Sequence, residues 1–223
     1  MSFLSSSRSQ ASPAFSPDGR RVASQSDRSG SPGIWICNAD GSDPVQLTSF
    51  RGPETGSPVW SLDGKEVVFD SRLEGDAQIF AVRADGGVPR RIETGIPNSS
   101  QPSFSRDGRW LYFGGGHENA IQAYKVEYPG GRAVALTTLG GYWPREAADR
   151  QRVFYVRFAQ LWSASVDGDD ERAEAGFPRF VTGNSNDWAP APGGIYFIDR
   201  TGARAALVLV AGFSLYRLLR CPG

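Results

Sequence analysis

The sequence SPAFSPDGR at residues 12–20 returns as SPVWSLDGK at residues 57–65 and as QPSFSRDGR at residues 101–109. The aspartates at the centre of the motif recur after 45 and then 44 residues. Two weaker copies follow, one beginning at Tyr142 and one at Asp187. A motif repeated at such a period is typical of proteins built from stacked supersecondary units. The chain therefore contains five repeats.

Each repeat contains the same succession of short apolar segments and turns. An aromatic segment precedes the Asp-Gly turn, and a second apolar segment follows it, as in residues 110–113 (WLYF). After a polar loop comes a third segment, such as residues 79–82 (IFAV), and then a glycine-containing turn and a fourth, such as residues 45–48 (VQLT). Asp-Gly supplies the positive φ angles of tight hairpins, and no window has sustained helical periodicity. The sequence predicts an all-β fold, a β-propeller of about five four-stranded antiparallel blades.

The repeats account for nearly the whole chain, so we expect a single β-propeller domain over residues 1–223. The repeats span approximately residues 12–50, 57–95, 101–139, 142–181 and 187–220. In the last repeat only residues 211–213 separate the two final apolar segments. Either a five-bladed ring closes, or the chain is a fragment of a larger array. Residues 2–7 could add an edge strand beside the last blade.

Composition and charge exclude several classes of protein. The 24 basic and 24 acidic residues give zero net charge and a pI of about 6.6, so the basic footprint of a nucleic-acid-binding protein is absent. The longest apolar run, residues 205–216, is shorter than the roughly 20 residues of a membrane span. Two cysteines are too few for a disulfide framework, and the first ten residues lack the apolar core of a signal peptide.

The sequence also predicts that the chain is not an enzyme and holds no metal or cofactor. His117 is the only histidine, and no Gly-x-Ser-x-Gly motif is present, so a serine triad cannot be assembled. The acidic residues 167–171 fall on a predicted hairpin turn and lack the pattern of a calcium loop. Inner strands without carboxylates before Glu146 and Asp187 argue against a paired-carboxylate glycosidase.

The segments that join one blade to the next gather at one mouth of a propeller, and here they break the repeat. They are residues 49–56, 95–100, 139–143 and 182–187. Because aromatic residues and arginine are enriched at recognition hot spots, we expect a binding surface there. The candidate residues are Arg51, Glu54, Asn98, Tyr142, Trp143, Arg145, Asn186 and Asp187. By alignment, Trp143 and Trp188 also take the core aromatic position of the inner strand, which favours packing.

The motif Ser-Pro-x-Trp/Phe-Ser-x-Asp-Gly-Lys/Arg, followed by Ala-Asp-Gly-Gly at residues 84–87 and Leu-Thr at residues 47–48, resembles the TolB-type, WD-like bacterial propeller repeat. The first three copies match well, and the last two have diverged. The resemblance implies a non-enzymatic scaffold that binds a protein or peptide at its loop face, located in the periplasm. It also implies a role as the sensory part of a larger envelope protein or regulator. Propellers of this type commonly have six or more blades.

Two alternatives remain open at this point. The chain could be the propeller that gates a prolyl-peptidase-like hydrolase, or a small carbohydrate-binding or carbohydrate-hydrolysing propeller. We expect a monomer or an oligomer whose copies share blades, with a protein or peptide partner and no nucleic acid.

Overall fold

The computed structural model of the protein describes residues 10–50, 54–117, 120–175, 188–199, 206–211 and 214–220. These residues form twenty β-strands in five four-stranded antiparallel sheets, and each sheet keeps its strands in chain order. The predicted all-β propeller of five blades is confirmed. The described part of the chain contains no helix, and so none that is long and apolar enough to cross a membrane.

The blades are numbered along the chain, from the innermost strand outward. Blade 1 comprises β1 (Gln10–Phe15), β2 (Arg21–Ser26), β3 (Gly33–Asn38) and β4 (Val45–Gln46). Blade 2 comprises β5 (Thr55–Trp60), β6 (Glu66–Glu74), β7 (Asp76–Arg83) and β8 (Arg90–Arg91). Blade 3 comprises β9 (Ser100–Phe104), β10 (Trp110–Gly115), β11 (Gln122–Glu127) and β12 (Val134–Ala135). Blade 4 comprises β13 (Tyr142–Glu146), β14 (Arg152–Arg157), β15 (Gln160–Ser165) and β16 (Arg172–Ala173). Blade 5 comprises β17 (Trp188–Ala191), β18 (Gly194–Asp199), β19 (Ala206–Ala211) and β20 (Ser214–Arg220).

The Ser-x-Asp-Gly motif closes the hairpin between the two inner strands of a blade. Ser16 Oγ donates to Asp18 Oδ1 at 2.6 Å, and the same oxygen accepts the Arg20 amide at 3.1 Å. Gly19 has a φ of 70°, which a side chain would strain. The hydrogen bond from Ser16 lowers the pKa of Asp18. The same contacts recur at Ser61–Asp63 and Ser105–Asp107. The repeated aspartates are therefore structural, as predicted.

Blade 4 keeps this turn with altered residues. Asp149 still accepts the Gln151 amide at 3.0 Å, but Ala147 stands where blades 1 to 3 have serine. Arg150 takes the position of the glycine and has a φ of 61°. The left-handed conformation costs an ordinary residue about 1–2 kcal/mol, so this turn is strained.

Alternate residues of each blade pack against the next blade. Ala23, Ile34 and Ile36 of blade 1 join Trp60 and Phe69 of blade 2 in one buried cluster. Similar clusters lie between blades 2 and 3, between blades 3 and 4, and between blades 4 and 5. Burying both faces of a blade in this way is what stacking achieves in a repeat protein.

A β-bulge interrupts the innermost strand of blades 1 to 4, just before a proline. The bulged residues have φ angles of 50–58° and are Ser12, Ser57, Gln101 and Trp143. In blade 4 it is Glu146 that pairs with Val153, as Trp60 pairs with Val67 in blade 2. The alignment of Trp143 with the core aromatic position was therefore wrong: Pro144 corresponds to Pro58, so Trp143 takes the bulge position that Ser57 holds in blade 2.

The alignment of Trp188 in blade 5 with the core aromatic position was also wrong. Pro190, and not Trp188, pairs with Ile195 at the position that Trp60 holds in blade 2. The expected packing is nevertheless present: Trp188 is buried with Phe197 in the core of blades 4 and 5, and Trp143 packs against that core. The outer strand of blade 5 has seven residues, whereas the outer strands of blades 1 to 4 have two. Residues 2–7, expected as an edge strand, lie outside the described residues.

Candidate functional site

The two ends of the propeller differ in what they carry. The turn face carries the Asp-Gly turns, such as residues 16–19 and 61–64. The loop face carries the segments that join successive blades, such as residues 95–99, and the hairpins between the second and third strands, such as residues 116–121. The predicted binding surface is the loop face.

A cavity of about 600 Å³ opens on the loop face between blades 3 and 4. Most of its lining is apolar. The lining residues are Ala120, Ile121, Gln122, Thr138, Leu139, Gly140, Tyr142, Trp143, Val156, Arg157, Phe158 and Ala159. The volume falls within the range of about 300–1,000 Å³ that small-molecule and side-chain sites occupy.

The cavity is open because blade 4 has a short hairpin. In blades 1 and 3, six residues separate the second and third strands, at residues 27–32 and 116–121. In blade 4 only Phe158 and Ala159 separate β14 from β15. The loop that would cover this side of the blade is therefore missing.

The same hairpin is strained. Phe158 and Ala159 have φ angles of 48° and 59°, as in a type I′ turn, where Asn-Gly is the favoured pair. A bulky residue with positive φ is a conformational outlier. Such outliers cluster at functional sites, where surrounding structure maintains them. The turn holds the Phe158 ring in solvent, with 79% of the residue exposed.

Two further apolar side chains stand exposed at the rim of the cavity. Leu139 is 55% exposed and Tyr142 is 41% exposed. Together with Phe158 they form what we call the apolar rim. Contiguous exposed apolar groups of this kind mark interaction sites more often than isolated ones do.

Trp143 lines both the cavity and the narrow passage along the propeller axis. Its indole Nε1 is buried and has no hydrogen-bond acceptor among the residues that the structure describes. An unsatisfied buried donor costs about 1–3 kcal/mol, and the φ of 57° adds backbone strain. The bulge position holds serine or glutamine in blades 1 to 3, so the tryptophan is specific to blade 4.

The axial passage itself is filled. The space lined by Ser57, Gln101, Trp143 and Arg145 measures about 10 Å³, room for at most one water. The Arg145 guanidinium lies 5.7 Å from the Trp188 ring centroid, and burial lowers the pKa of Arg145 to about 10.

Two of the other predicted candidates, Glu54 and Asn98, do not line the cavity. Glu54 is exposed and pairs with Arg72 at 3.2 Å. Asn98 Oδ1 accepts the amide of Ala77 at 3.4 Å, which ties the segment between blades 2 and 3 to the β6–β7 hairpin. Arg51, Asn186 and Asp187 lie outside the described residues. Of the eight candidates, the structure brings Tyr142 and Trp143 together at the cavity, with Arg145 beneath them in the passage.

Sequence reasoning missed Arg157 and Phe158. The signal for them was the length of the hairpin. Trp162 and Phe154 identify the strands of the fourth repeat, and only two residues are left for the turn, one of them an aromatic. A phenylalanine in a position that favours asparagine or glycine points to a role for its ring outside folding.

The residues weighed for catalysis or metal binding have structural surroundings. His117 is exposed on the β10–β11 loop. In the acidic turn, Asp170 pairs with Arg152 at 2.7 Å, and Glu171 Oε2 accepts the Tyr155 hydroxyl at 2.9 Å. No group of three or more histidine, cysteine, aspartate or glutamate side chains that could hold a metal ion occurs in the described ranges.

The sequence matches the TolB beta propeller domain family over residues 3–99 and 55–212, which together span most of the chain. The chain belongs to the TolB β-propeller family. No curated protein matches it. The TolB-like repeat inferred from the Ser-Pro and Asp-Gly motifs is confirmed.

Solved TolB structures have the same fold. The crystal structure of TolB from Acinetobacter baumannii superposes with a TM-score of 0.78 at 20% identity, covering 94% of this chain and 53% of that one. The putative TolB from Agrobacterium tumefaciens gives 0.77 at 19% identity, covering 96% and 82%. An oligogalacturonate lyase in complex with manganese gives 0.64 at 12% identity, covering 94% and 65%. At these identities the likeness shows the fold alone, and this chain spans about half of the Acinetobacter protein.

Proposed function

We propose that this TolB-family propeller is a non-enzymatic scaffold that binds a peptide segment of a partner protein in the loop-face cavity between blades 3 and 4. The observation that carries the proposal is the strained two-residue hairpin, which holds Phe158 exposed beside an apolar cavity. Folding alone favours a different pair of residues in this turn. Binding of an apolar side chain under the Phe158 ring explains why phenylalanine is present in this turn.

The shape and chemistry of the cavity suit a short peptide. Its volume of about 600 Å³ is enough for two or three apolar side chains, and the apolar rim offers further contact area. Aromatic side chains dominate hot spots because they bury much area at a low entropy cost.

Membership of the TolB family also supports a location in the bacterial envelope, with the propeller acting in the periplasm as a sensory or scaffold part of a larger assembly. Fractionation of cells expressing the full-length gene product with an epitope tag tests this location. Recovery with periplasmic or envelope marker proteins is expected, and recovery with cytosolic markers contradicts it.

Selection of displayed peptides tests the binding role. A random twelve-residue library is selected on the immobilised chain, and the affinities of the enriched peptides are measured by fluorescence anisotropy. Phe158→Ser and Tyr142→Ser each remove one ring from the apolar rim, and we expect each to weaken binding about tenfold or more, as truncation of a hot-spot residue does.

Phe15→Ser is the matched control, since Phe15 is 60% exposed on the innermost strand of blade 1 and does not line the cavity. It should leave the affinities unchanged. Peptides that bind equally to the wild type and to Phe158→Ser contradict the proposed site. Cleavage of oligogalacturonate or of peptides by the purified chain, without any peptide capture, contradicts the non-enzymatic role.

A further inference from the structure

Arg157 is the one charged side chain among the described residues that line the cavity. Its guanidinium carbon lies 5.1 Å from the Phe158 ring centroid and 4.6 Å from that of Trp162. Its Nε is buried without an acceptor. Within the described part of the chain, Arg157 makes ring contacts and no hydrogen bond or ion pair.

Other arginines that stack on aromatic rings also have acceptors. Arg109 lies over Trp110 and pairs with Glu127 at 3.2 Å. Arg90 lies over Tyr128 and pairs with Glu66 at 3.1 Å. In those two places the ring contact and the ion pair occur together. At Arg157 the ring contacts are present and the anion is missing.

A half-buried guanidinium that has no ion-pair partner in the described part of the protein is suited to bind an anionic group of a ligand. Contacts with two rings restrict the guanidinium, which reduces the entropy lost when it pairs. The surrounding lining is apolar, and a lower local dielectric strengthens an ion pair formed there.

The available donors favour a side-chain carboxylate over a chain terminus. C-terminal carboxylates are captured by successive free backbone N–H groups, whereas acidic side chains are matched by an arginine fork. In the segment beside the cavity, the amides of Thr138, Gly140 and Gly141 already donate, to Glu171, Gln122 and Ile121 respectively. These three amides are therefore not available to a terminal carboxylate, whereas the Arg157 guanidinium faces the cavity.

We infer that the cavity selects peptide segments in which an aspartate or glutamate side chain is flanked by apolar residues, and that Arg157 pairs with that carboxylate. This inference rests on the proposed peptide-binding function and specifies its ligand. Phe158 and Leu139 contact the apolar flanking side chains, and the guanidinium of Arg157 binds the carboxylate.

Three peptide pools test the selectivity. All contain heptapeptides with alanine, valine, leucine, phenylalanine and serine at the flanking positions. The first pool is acetylated and amidated with glutamate at the centre, and the second has glutamine there. The third has central glutamine and a free C-terminal carboxylate. Affinity selection followed by titration of the retained peptides should give about tenfold tighter binding for the first pool, equivalent to one good ion pair.

Two substitutions separate the role of Arg157 from a loss of structure. Arg157→Gln should reduce the preference for glutamate over glutamine to less than about twofold. Arg109→Gln, which alters an arginine stacked on tryptophan outside the cavity, should leave the preference intact. Circular dichroism and the urea midpoint of each variant confirm that it is folded.

The outcomes distinguish the inference from the proposed function. Binding that Phe158→Ser abolishes but that shows no preference for glutamate overturns the inference and leaves the proposed function standing. A preference for the free C-terminal carboxylate, or a preference for glutamate that survives Arg157→Gln, also overturns the inference. Peptide binding unaffected by Phe158→Ser overturns the proposed function itself.

Discussion

The guanidinium of Arg106, on blade 3, donates from Nη2 to the carbonyl oxygen of Pro190, on blade 5, at 3.1 Å. The same side chain donates from Nε to the carbonyl oxygen of Ala147 on blade 4 at 3.0 Å. The backbone amide of Arg106 donates to Glu146 Oε2 at 2.6 Å. One residue on the turn face therefore joins blades 3, 4 and 5.

Arg106→Ala should lower the free energy of unfolding by about 1–3 kcal/mol, because two charge-assisted hydrogen bonds are lost. Amide hydrogen exchange should accelerate most in β17 and β18, which the bond to Pro190 holds. Arg109→Ala is the matched control, since its ion pair with Glu127 is exposed and such pairs contribute about 0–1 kcal/mol. Equal losses in the two variants, measured by urea unfolding, would show that Arg106 does not join the blades.

Arg150→Gly should raise the free energy of unfolding by about 0.5–1 kcal/mol. The substitution relieves the left-handed strain at a φ of 61°, less the entropy that glycine adds to the unfolded chain. Gly19→Ala makes the reciprocal change in blade 1, where a Cβ would meet no atom within 4 Å, so strain alone should destabilise that variant. Urea unfolding measures both. A loss of stability in Arg150→Gly contradicts the strained turn.

Ionisation of Asp70 should make the free energy of unfolding depend on pH. Burial raises the pKa of Asp70 to about 6 from its ordinary 3.8, against the opposing hydrogen bonds from Ser57 and the Gln101 amide. Between these values the folded protein keeps a proton that the unfolded chain has released, so this residue makes stability fall as pH rises. Asp70→Asn removes that dependence.

The measurement is the free energy of unfolding of wild type and Asp70→Asn from pH 4 to pH 8. The advantage of the variant should grow up to about pH 6 and then stay constant. Asp18→Asn is the control: the hydrogen bond from Ser16 lowers the pKa of Asp18 below its ordinary 3.8, so its difference from wild type should stay nearly constant over this pH range. A constant difference across the whole range for Asp70→Asn would refute the assignment.

Phe158→Asn combined with Ala159→Gly should stabilise the protein and abolish peptide binding together. Asn-Gly is the preferred pair of a type I′ turn, so the double variant should gain about 1 kcal/mol. It also removes the exposed ring from the cavity. Thermal unfolding measures the stability and fluorescence anisotropy measures the peptide binding. A destabilised variant, or one that still binds peptides, would contradict the trade-off between stability and binding that is expected of a functional site.

Much of the fold was predictable from local chemistry that repeats. Asp18, Asp63 and Asp107 mark hairpins whose geometry follows from the serine, aspartate and glycine of each turn. The apolar strands between these turns alternate toward neighbouring blades. Because the same succession of hairpins and apolar strands recurs in five repeats, the sequence predicts the propeller architecture.

The candidate site was predictable only in part because its residues lie where the sequence departs from the repeat. Tyr142 and Trp143 were identified as unrepeated residues, and both line the cavity. The position of Trp143 was misassigned because its ring suggested the core aromatic position, whereas the following Pro144 places it at the bulge, as Pro58 places Ser57. Arg157 was missed because an isolated arginine at a strand end says nothing about its partners. Only the positions of Phe158 and Trp162 around it reveal that an acceptor is missing.

The most direct test of the central claim is shift mapping by ¹H–¹⁵N NMR on addition of a peptide enriched from the displayed library. We predict that the amides of Gln122, Leu139 and Phe158 and the indole signal of Trp143 shift together and saturate with one affinity. Shifts confined to the mouth on the turn face, at Leu62, Phe104 and Ala189, would contradict the account.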